Sequence, residues 1–363
     1  MPNDLAPTLS LSPAGQMPQI GFGTWGLAPQ DVDRSIRAAV QAGYRLFDLA
    51  PVYHNERAIG KTFSALFAEG VVSRDSLFFT SKVPPDCACD KTRLMAQLRQ
   101  TLRDLQTPYL DLYHVHWPFC VRTGSPTWPP PYEYELGYSA QQLHATWSVM
   151  ESIVDAGLVR SIGLSNIGLH RLEALLAHPA LRYAPAVLQN EHHPYNANRE
   201  LRAFCAARSP PIRFTAYSSL GSGARPSKHQ LGQPALLDDA VMTRVAAEAH
   251  TTPAALALAW AVRSGVAIIP KSAHEDRIAA NLGSTLELAP KLSPEHMRAL
   301  DALDRRLLYL AEGWRGYAWR AGMTLEELRD DPSPASSYGW LWGAAVLVAG
   351  GVACRCRAQR RLP

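Results

Sequence analysis

An acid, a phenol, an amine and an imidazole stand in the first third of the chain, as Asp48, Tyr53, Lys82 and His116. Asp48 and Tyr53 share the run FDLAPVYHNE, Lys82 belongs to FFTSKV, and His116 belongs to LDLYHVHWP. Side chains of these four types can hold, orient and transfer a proton when they meet at one site. Each one alone is more often a solvated loop residue, so it is their combination that indicates a site.

These residues need a scaffold that brings the ends of separate strands together. Strand-like runs alternate with helical patterns, and we predict strands at 19–24, 44–49, 77–83, 110–117, 160–165, 186–191, 213–218 and 266–271. Parallel strands need crossover helices, so eight such units predict a closed (β/α)₈ barrel, with a doubly wound open sheet as the alternative. In a barrel of this kind the chemistry lies at the carboxyl ends of the strands, where Asp48, Lys82 and His116 stand.

The segments around the strands follow helical, turn or loop patterns. Apolar residues at helical spacing predict helices over 32–40, 94–105 and 147–154. A small hairpin is predicted from Thr8–Leu11 and Met17–Ile20. Two long insertions, 119–139 and 218–234, interrupt the alternation, and loops of this length inside a domain are usually functional.

The run from Gly21 to Gly26 imitates the glycine fingerprint of dinucleotide-binding Rossmann folds. In that fingerprint the last glycine already lies in a helix. Here Pro29 follows shortly after Gly26, and proline is tolerated only in the first turn of a helix. The helix therefore begins after the motif, and we do not interpret it as a Rossmann fingerprint.

The composition excludes several other classes of protein. Of the 363 residues, 47% are apolar and 19% are charged, which is typical of a globular domain. The net charge of +4 is too small to indicate a nucleic-acid partner, and the N-terminus shows no secretory signal. The six cysteines lack C-x-x-C spacing, so we expect free thiols in a reducing compartment. We expect no metal at His192-His193, since adjacent residues of a strand face opposite ways.

Eight segments of the chain resemble the aldo-keto reductase superfamily of NAD(P)H-dependent carbonyl reductases. They are PQIGFGTWGL at 18–27, GYRLFDLAPVYHNE at 43–56, FFTSKV at 78–83, DLYHVHWP at 111–118, GLVRSIGLSN at 157–166, LQNEHHPY at 188–195, FTAYSSLGSG at 214–223 and IPKSAHEDRIAAN at 269–281. The resemblance extends over residues 8–305, and the spacing of its aspartate, tyrosine, lysine and histidine is highly specific.

The resemblance implies transfer of a hydride from a nicotinamide to a carbonyl carbon and of a proton to the carbonyl oxygen. Tyr53 would be the general acid, and the ammonium of Lys82 would lower the pKa of its phenol from the usual value of about 10. Asp48 would hold Lys82 protonated, and His116 would orient the carbonyl oxygen. His114 shares the strand face of His116 but lies one layer lower, so we expect it to be a buried residue without a direct role.

The resemblance also implies a set of cofactor-binding residues and favours NADPH. The set comprises Ser165, Asn166 and Gln189 at the carboxamide, Tyr217 stacked on the nicotinamide, Ser218, Leu220 and Ser222 in a loop around the pyrophosphate, Lys271, Ser272 and Arg277 at the 2′-phosphate, and Asn281 at the adenine. Two cations suit a phosphate dianion, which is why NADPH is favoured over NADH. Ala280 departs from the family pattern, which often has glutamate there.

Aromatic residues are expected to line the substrate pocket. Trp25, Trp117 and the loop at 128–138 would form its walls, and the stretch 311–323 could cover it. This predicts an apolar aldehyde or ketone as substrate. One alternative is an NADPH-binding sensing or regulatory protein of the same fold with little turnover. Another is a (β/α)₈ hydrolase or lyase, which would need a metal or paired carboxylates at the rim.

The C-terminal part of the chain has a different character. We assign residues 1–330 to the barrel and 331–363 to a tail whose segment 338–354 contains 17 uncharged residues. At 1.5 Å per residue a helix of this length reaches about 25 Å, the short end of a bilayer span. We predict that this segment anchors a cytosolic barrel to a membrane. A helix docked on the barrel, a disordered tail and an interfacial helix are the alternatives, and the arginines beyond the segment disfavour a spanning orientation.

Overall fold

The computed structural model of the chain describes residues 6–11, 15–125, 134–221 and 235–309, without the side chain of Glu135. Within these residues the strands are β1 (Thr8–Leu11), β2 (Gly15–Pro18), β3 (Gly21–Gly23), β4 (Leu46–Asp48), β5 (Phe78–Val83), β6 (Leu112–Val115), β7 (Cys120–Val121), β8 (Glu135–Gly137), β9 (Ile162–Ser165), β10 (Val187–Glu191), β11 (Arg213–Tyr217) and β12 (Ala267–Ile268). The α-helices are α1 (Val32–Ala42), α2 (Glu56–Ala68), α3 (Pro85–Ala88), α4 (Lys91–Leu105), α5 (Ala140–Asp155), α6 (Leu169–Leu176), α7 (Arg199–Ala206), α8 (Ala240–Glu248), α9 (Pro253–Arg263), α10 (Glu275–Leu288) and α11 (Pro294–Asp301).

Eight parallel strands form the centre of the fold, in the order β3-β4-β5-β6-β9-β10-β11-β12. A parallel bridge joins Ile20 to Ile268, and the N–H of Ile268 donates to the carbonyl of Gln19 at 2.8 Å. These contacts bring the first and last strands together in a nearly closed barrel, consistent with the predicted (β/α)₈ fold. Each of the eight strands lies inside the range predicted for it.

Helices cover the barrel, and amphipathic ones such as α4 and α1 do so with one apolar face. In α4, Leu94, Leu98, Leu102 and Leu105 are buried, and the side chain of Asp90 accepts from the N–H of Arg93 to cap the helix. The same spacing buries one face of α1, which ends at Gly43 with a φ of 109°. The helices predicted from the apolar stripes are therefore present.

An N-terminal hairpin closes one end of the barrel. Strand β1 pairs antiparallel with β2, which begins two residues earlier than predicted. Leu9, Leu11 and Met17 pack against the first residues of the barrel strands, among them Leu46 and Phe78. The amino ends of the strands are thus sealed, and the site must lie at the carboxyl ends.

The glycine-rich run has no Rossmann geometry. Residues Gly21–Gly23 form strand β3, a 3₁₀ turn follows at Pro29–Asp31, and α1 begins only at Val32. The first helix therefore starts nine residues after the end of the strand, as Pro29 predicted.

The prediction that all cysteines are free thiols is wrong. Cys89, after α3, and Cys120, in β7, form a disulfide across a separation of 31 residues. The Cα atoms of the two residues lie 5.8 Å apart because the loops after β5 and β6 leave the same rim of the barrel. Cys87 and Cys205 are free and buried.

The tail at 331–363, including its apolar segment 338–354, lies outside the described residues. In the part of the chain that the structure describes, we find no helix that is long and apolar enough to cross a membrane. The membrane anchor and the boundary between barrel and tail therefore remain predictions.

Candidate active site

A buried ion pair forms the centre of the site. Asp48 ends β4, and Lys82 lies near the end of the neighbouring β5, so the barrel brings the two side chains together. Nζ of Lys82 lies 2.7 Å from Oδ2 of Asp48, and the side chains are 1% and 4% exposed. Burial lowers the pKa of Lys82, while Asp48 opposes this shift by favouring the ammonium. The pairing makes a buried cation tolerable at this position.

Lys82 also connects the ion pair to Tyr53. Besides Asp48, its ammonium donates to the carbonyl of Leu49 at 2.9 Å and to the hydroxyl oxygen of Tyr53 at 3.1 Å. An ammonium has three N–H groups, and these three contacts use all of them. Because the oxygen of Tyr53 accepts from Lys82, its own O–H is available to donate to another acceptor.

The second carboxylate oxygen of Asp48, Oδ1, accepts two hydrogen bonds. Oδ1 accepts from the hydroxyl of Thr80 at 2.9 Å and from Nε2 of Gln189 at 2.7 Å. Sequence reasoning assigned Gln189 to the cofactor and missed Thr80 altogether. Thr80 lies two residues before Lys82, so the alternation of side chains along a strand was a signal that could have found it.

The pKa of Tyr53 is raised well above its usual value rather than lowered by Lys82 as expected. The first cause is burial, followed by the negative charges of Asp48 and Glu56. The expectation left out the burial of the phenol and the direct effect of the charges of Asp48 and Glu56 on its pKa. Tyr53 itself lies in a 3₁₀ turn at Pro51–Tyr53, three residues before the start of α2.

His116 faces Tyr53 from the segment after β6. The two rings are edge-to-face, with centroids 6.1 Å apart, and the carbonyl of His116 accepts from Nδ2 of Asn166 at 2.9 Å. Burial lowers the pKa of His116 well below its usual value, and Lys82 and His114 add to this shift. The imidazole is therefore neutral and can donate a hydrogen bond without bringing a second cation into the site.

His114 lies deeper in the barrel, opposite Lys82 in the β5–β6 register. It is fully buried, as expected, and neither ring nitrogen has a partner at hydrogen-bond geometry among the described residues. Burial lowers the pKa of His114 to about 3, and Lys82 contributes to the shift. His114 is thus a neutral core residue in contact range of Gly163 on β9.

Four of the predicted cofactor residues form one chain of hydrogen bonds. The hydroxyl of Ser165 donates to the carbonyl of Gln189 at 2.6 Å, and Nδ2 of Asn166 donates to Ser165 at 3.1 Å. The hydroxyl of Tyr217 donates to Oδ1 of Asn166 at 2.5 Å. These side chains come from the ends of β9, β10 and β11, which are neighbours in the barrel.

The loop after β11 begins with an unusual backbone. Ser218 has a φ of 52° and Gly221 a φ of 69°, and the N–H of Gly221 donates to the carbonyl of Ser218 at 2.8 Å. Leu220 is half-buried and packs against the core. Ser222, also predicted to bind the cofactor, lies outside the described residues.

The residues predicted for the 2′-phosphate and adenine surround the start of α10, after β12. Lys271 and Arg277 are exposed, whereas Ser272 is buried and accepts from the N–H of His274 at 3.0 Å. Asn281 follows Arg277 by one helical turn, so the two lie on one face of α10. Glu275 and Asp276 also occupy the first turn of this helix.

Aromatic side chains stand on the substrate side of the rim. Trp25, after β3, is 50% exposed. Trp117 stacks beside His116 with ring centroids 6.3 Å apart, and its ring lies 5.6 Å from that of Phe119. Residues 128–133 of the predicted aromatic loop and the stretch 311–323 lie outside the described residues.

His192 and His193, which follow β10, make structural contacts. His193 bonds to Glu191 at 2.9 Å, and His192 stacks on Trp260 with centroids 4.9 Å apart. Over the described ranges, no group of three or more His, Cys, Asp or Glu side chains could hold a metal ion.

Comparisons with known proteins identify the family of the chain. The model of the Aldo/keto reductase family matches residues 19–305. An aldo/keto reductase of Synechocystis sp. is 38% identical over 302 residues, which are 83% of this chain and 90% of that protein. Mouse estradiol 17 beta-dehydrogenase 5 is 37% identical over 84% of this chain and 93% of its own length. Mouse aldo-keto reductase family 1 member A1 is 38% identical over 84% of this chain and 91% of its own length. The chain thus belongs to the aldo/keto reductase family and is an oxidoreductase that acts on carbonyl and alcohol groups.

Proposed function

We propose that the protein reduces an aldehyde or ketone to an alcohol with NADPH and that Tyr53 supplies the proton. The observation that carries this proposal is the hydrogen bond from the buried ammonium of Lys82 to the hydroxyl oxygen of Tyr53, at 3.1 Å. The reaction adds a hydride, which bound NADPH would supply, to the carbonyl carbon and a proton to the carbonyl oxygen.

The side chains support a specific sequence of proton movements. The raised pKa of Tyr53 keeps its phenol protonated throughout the neutral range, so the acid form is ready to donate. As the O–H bond breaks, the negative charge that develops on the phenolic oxygen faces the ammonium of Lys82. Asp48 holds that ammonium in place, and Thr80 and Gln189 hold Asp48.

His116 has the role of an orienting donor in this proposal. A neutral imidazole in reach of Tyr53 can donate to the same carbonyl oxygen and keep it in line with the phenol. A protonated His116 would repel Lys82, and its strongly lowered pKa prevents this.

The residues of the rim fit a nicotinamide dinucleotide. Ser165, Asn166 and Gln189 offer the hydroxyl and amide groups that a carboxamide needs, and Tyr217 offers a flat ring beside them. The backbone turn at Ser218 and Gly221 would approach the pyrophosphate closely, together with Leu220 and Ser222. Ser272 and Asn281 would contact the adenosine end.

Two cations favour NADPH over NADH. Lys271 and Arg277 are exposed near the start of α10, where a helix N-terminus adds a partial positive charge. A 2′-phosphate dianion would neutralise them. Since Glu275 and Asp276 lie in the same turn, the phosphate would bind on the side of Lys271 and Arg277.

The substrate that this rim favours is an apolar aldehyde or ketone. Trp25, which is exposed, and Trp117, which stacks beside His116, would supply broad apolar surfaces to the substrate.

The test is steady consumption of NADPH with a panel of apolar aldehydes and ketones, followed by its absorbance. We expect turnover in the wild type and a loss of about 10²- to 10⁴-fold in the Tyr53→Phe variant, which keeps the ring but lacks the proton. NADPH binding should be unchanged in that variant. Tight NADPH binding without turnover of any substrate would overturn the proposal and favour a sensing protein.

A further inference from the structure

A buried carboxyl group lies directly behind the proposed proton donor. Glu56 begins α2, three residues after Tyr53, and only 5% of it is exposed. Its Oε1 accepts from the hydroxyl of Ser81 at 2.6 Å, and its Oε2 accepts from the hydroxyl of Thr101 on α4 at 3.0 Å. Neither sequence reasoning nor the proposed reaction assigns a role to this residue.

No basic side chain in the described ranges forms an ion pair with Glu56. A buried carboxylate normally needs such a partner, because two hydroxyl groups replace its hydration only in part. Burial therefore raises the pKa of Glu56 to about 7, although the bonds from Ser81 and Thr101 oppose the shift. The residue thus changes its charge within the physiological range.

The wall of the barrel separates Glu56 from the ion pair of the site by a single strand. Ser81, which bonds to Glu56, and Lys82, which bonds to Asp48, are neighbours on β5 and point to opposite faces. In the part of the chain that the structure describes, four titratable groups interact with Glu56 from the elements around it: Lys82 on β5, Asp104 on α4, Tyr113 on β6 and Tyr53 before α2.

We propose that Glu56 is a positioning residue that sets the pH range in which Tyr53 donates its proton, acting through its own charge and through its bond to Ser81 beside Lys82. The proposal rests on the role proposed for Tyr53. It assigns a regulatory charge to the outer face of β5, outside the cavity that would hold the substrate.

The sign of the effect follows from the charges. Below about pH 7 Glu56 is neutral, and the pKa of Tyr53 is raised by burial and by the charge of Asp48 alone. Above this pH the carboxylate raises the pKa of Tyr53 further and makes it a weaker acid. Carbonyl reduction should therefore slow as Glu56 ionises.

The first test is the pH profile of kcat for reduction in wild type and in Glu56→Gln, which keeps the shape of the side chain without the charge. In the wild type we expect a break near pH 7, above which kcat falls as the pH rises. E56Q should lack this break, so that its decrease in kcat at pH 8.5 is about threefold to tenfold smaller. Glu151→Gln is the matched control, because Glu151 is equally buried on α5 but bonds to Arg182 and Tyr183. E151Q should keep the break.

Two further variants keep Glu56 and move its titration. Ser81→Ala and Thr101→Val each remove one hydroxyl that stabilises the carboxylate, so the break should move to higher pH. The titration can also be followed without activity, from the carboxyl ¹³C shift in glutamate-labelled protein, assigned by its absence in E56Q. A break that is unchanged in E56Q, or a ¹³C titration near pH 4, overturns the proposal.

These outcomes are separable from a failure of the proposed function. If Tyr53→Phe keeps full turnover, Tyr53 is not the proton donor, and the proposed function fails. If Tyr53→Phe is inactive and E56Q keeps the wild-type profile, only the role of Glu56 fails.

Discussion

Nε2 of Gln189 donates to Oδ1 of Asp48 at 2.7 Å, although 141 positions separate the two residues in the chain. The carbonyl of Gln189 accepts from Ser165 at the same time. Gln189 therefore connects the residues proposed to bind the nicotinamide with the ion pair proposed to support Tyr53. A change at this residue should affect both binding and catalysis.

Gln189→Leu removes one of the two donors to Oδ1 of Asp48. A hydrogen bond to a charged group contributes about 1.5–3 kcal/mol, so kcat for carbonyl reduction should fall about tenfold or more. The dissociation constant of NADPH should rise as well. Steady-state kinetics and fluorescence titration measure the two effects.

Thr80→Val is the matched control, because it removes the other donor to Oδ1 and leaves the cofactor side intact. It should lower kcat while the affinity for NADPH stays unchanged. An unaltered kcat in Q189L would contradict the link between Gln189 and the ion pair.

Glu56 should also make the stability of the fold depend on pH. The pKa of Glu56 is about 7 in the folded chain against 4.5 without burial, so the folded state binds more protons between these values. The contribution of Glu56 to the free energy of unfolding is fully present below pH 4.5, where the carboxyl group is protonated in both states. This contribution is lost as the pH rises through 7 and the buried group ionises. At about 1.4 kcal/mol per pKa unit, this loss amounts to about 2–4 kcal/mol.

Urea unfolding of wild type and E56Q at pH 5 and pH 8 measures this loss. Other titrating groups are common to both proteins, so the difference between their free energies of unfolding isolates Glu56. Wild type should lose stability relative to E56Q as the pH rises. A difference that is equal at both pH values would show that Glu56 does not titrate in this range.

The alternation of strands and helices could be predicted because it depends on local patterns. All eight barrel strands lie within their predicted ranges, and the observed strands are shorter than those ranges. Strand β2 covers Gly15–Pro18 rather than Met17–Ile20. Ile20 instead forms a parallel bridge with Ile268, which brings the first and last barrel strands together. This tertiary contact places Ile20 in the barrel rather than in the hairpin.

The four proposed catalytic residues could be predicted from their types and their places at strand ends, and the structure brings them together. The surrounding groups could not. The disulfide between Cys89 and Cys120 depends on two loops that meet only in the folded chain. The bonds of Glu56 depend in the same way on how α2 and α4 pack on β5, and neither leaves a local sequence signal.

Arg277→Ala should discriminate between the two cofactors. Only NADPH carries the 2′-phosphate, and a lost charge-assisted bond of about 1.5–3 kcal/mol corresponds to a loss in affinity of roughly 10- to 100-fold. The affinity for NADH should change little. Arg244→Ala is the control, because Arg244 is equally exposed but lies on α8 and pairs with Glu248. Equal weakening of both cofactors would refute the assignment of the phosphate site.

The prediction for the C-terminal segment concerns partitioning between membrane and soluble fractions. Full-length protein should sediment with membranes, because residues 338–354 carry no charge, include two tryptophans near their start and are followed by arginines. A chain truncated after Asp331 should remain in the supernatant with the same turnover, since the proposed catalytic residues lie before residue 120. Full-length protein that stays in the supernatant at low salt without detergent would rule out the anchor.

Reduction of the disulfide should loosen the substrate side of the site. Cys120 follows Trp117 and Phe119 closely, so the bond to Cys89 ties the aromatic segment to the end of α3. Cross-linking across 31 residues stabilises a folded chain by about 3–4 kcal/mol on the loop-entropy estimate. A dithiol reductant should therefore lower the unfolding midpoint and raise KM for the carbonyl substrate more than KM for NADPH.

Paired Cys89→Ser and Cys120→Ser substitutions should reproduce both changes and abolish the response to the reductant. Cys87→Ser is the control, because Cys87 is a free, buried thiol on α3, the short helix that ends just before Cys89. Burial raises the pKa of Cys87 to about 11, so its thiol stays protonated and unreactive near neutral pH. C87S should thus respond to the reductant like the wild type. If the double variant keeps the stability and KM of the oxidised wild type, the bond does not hold the aromatic segment in place.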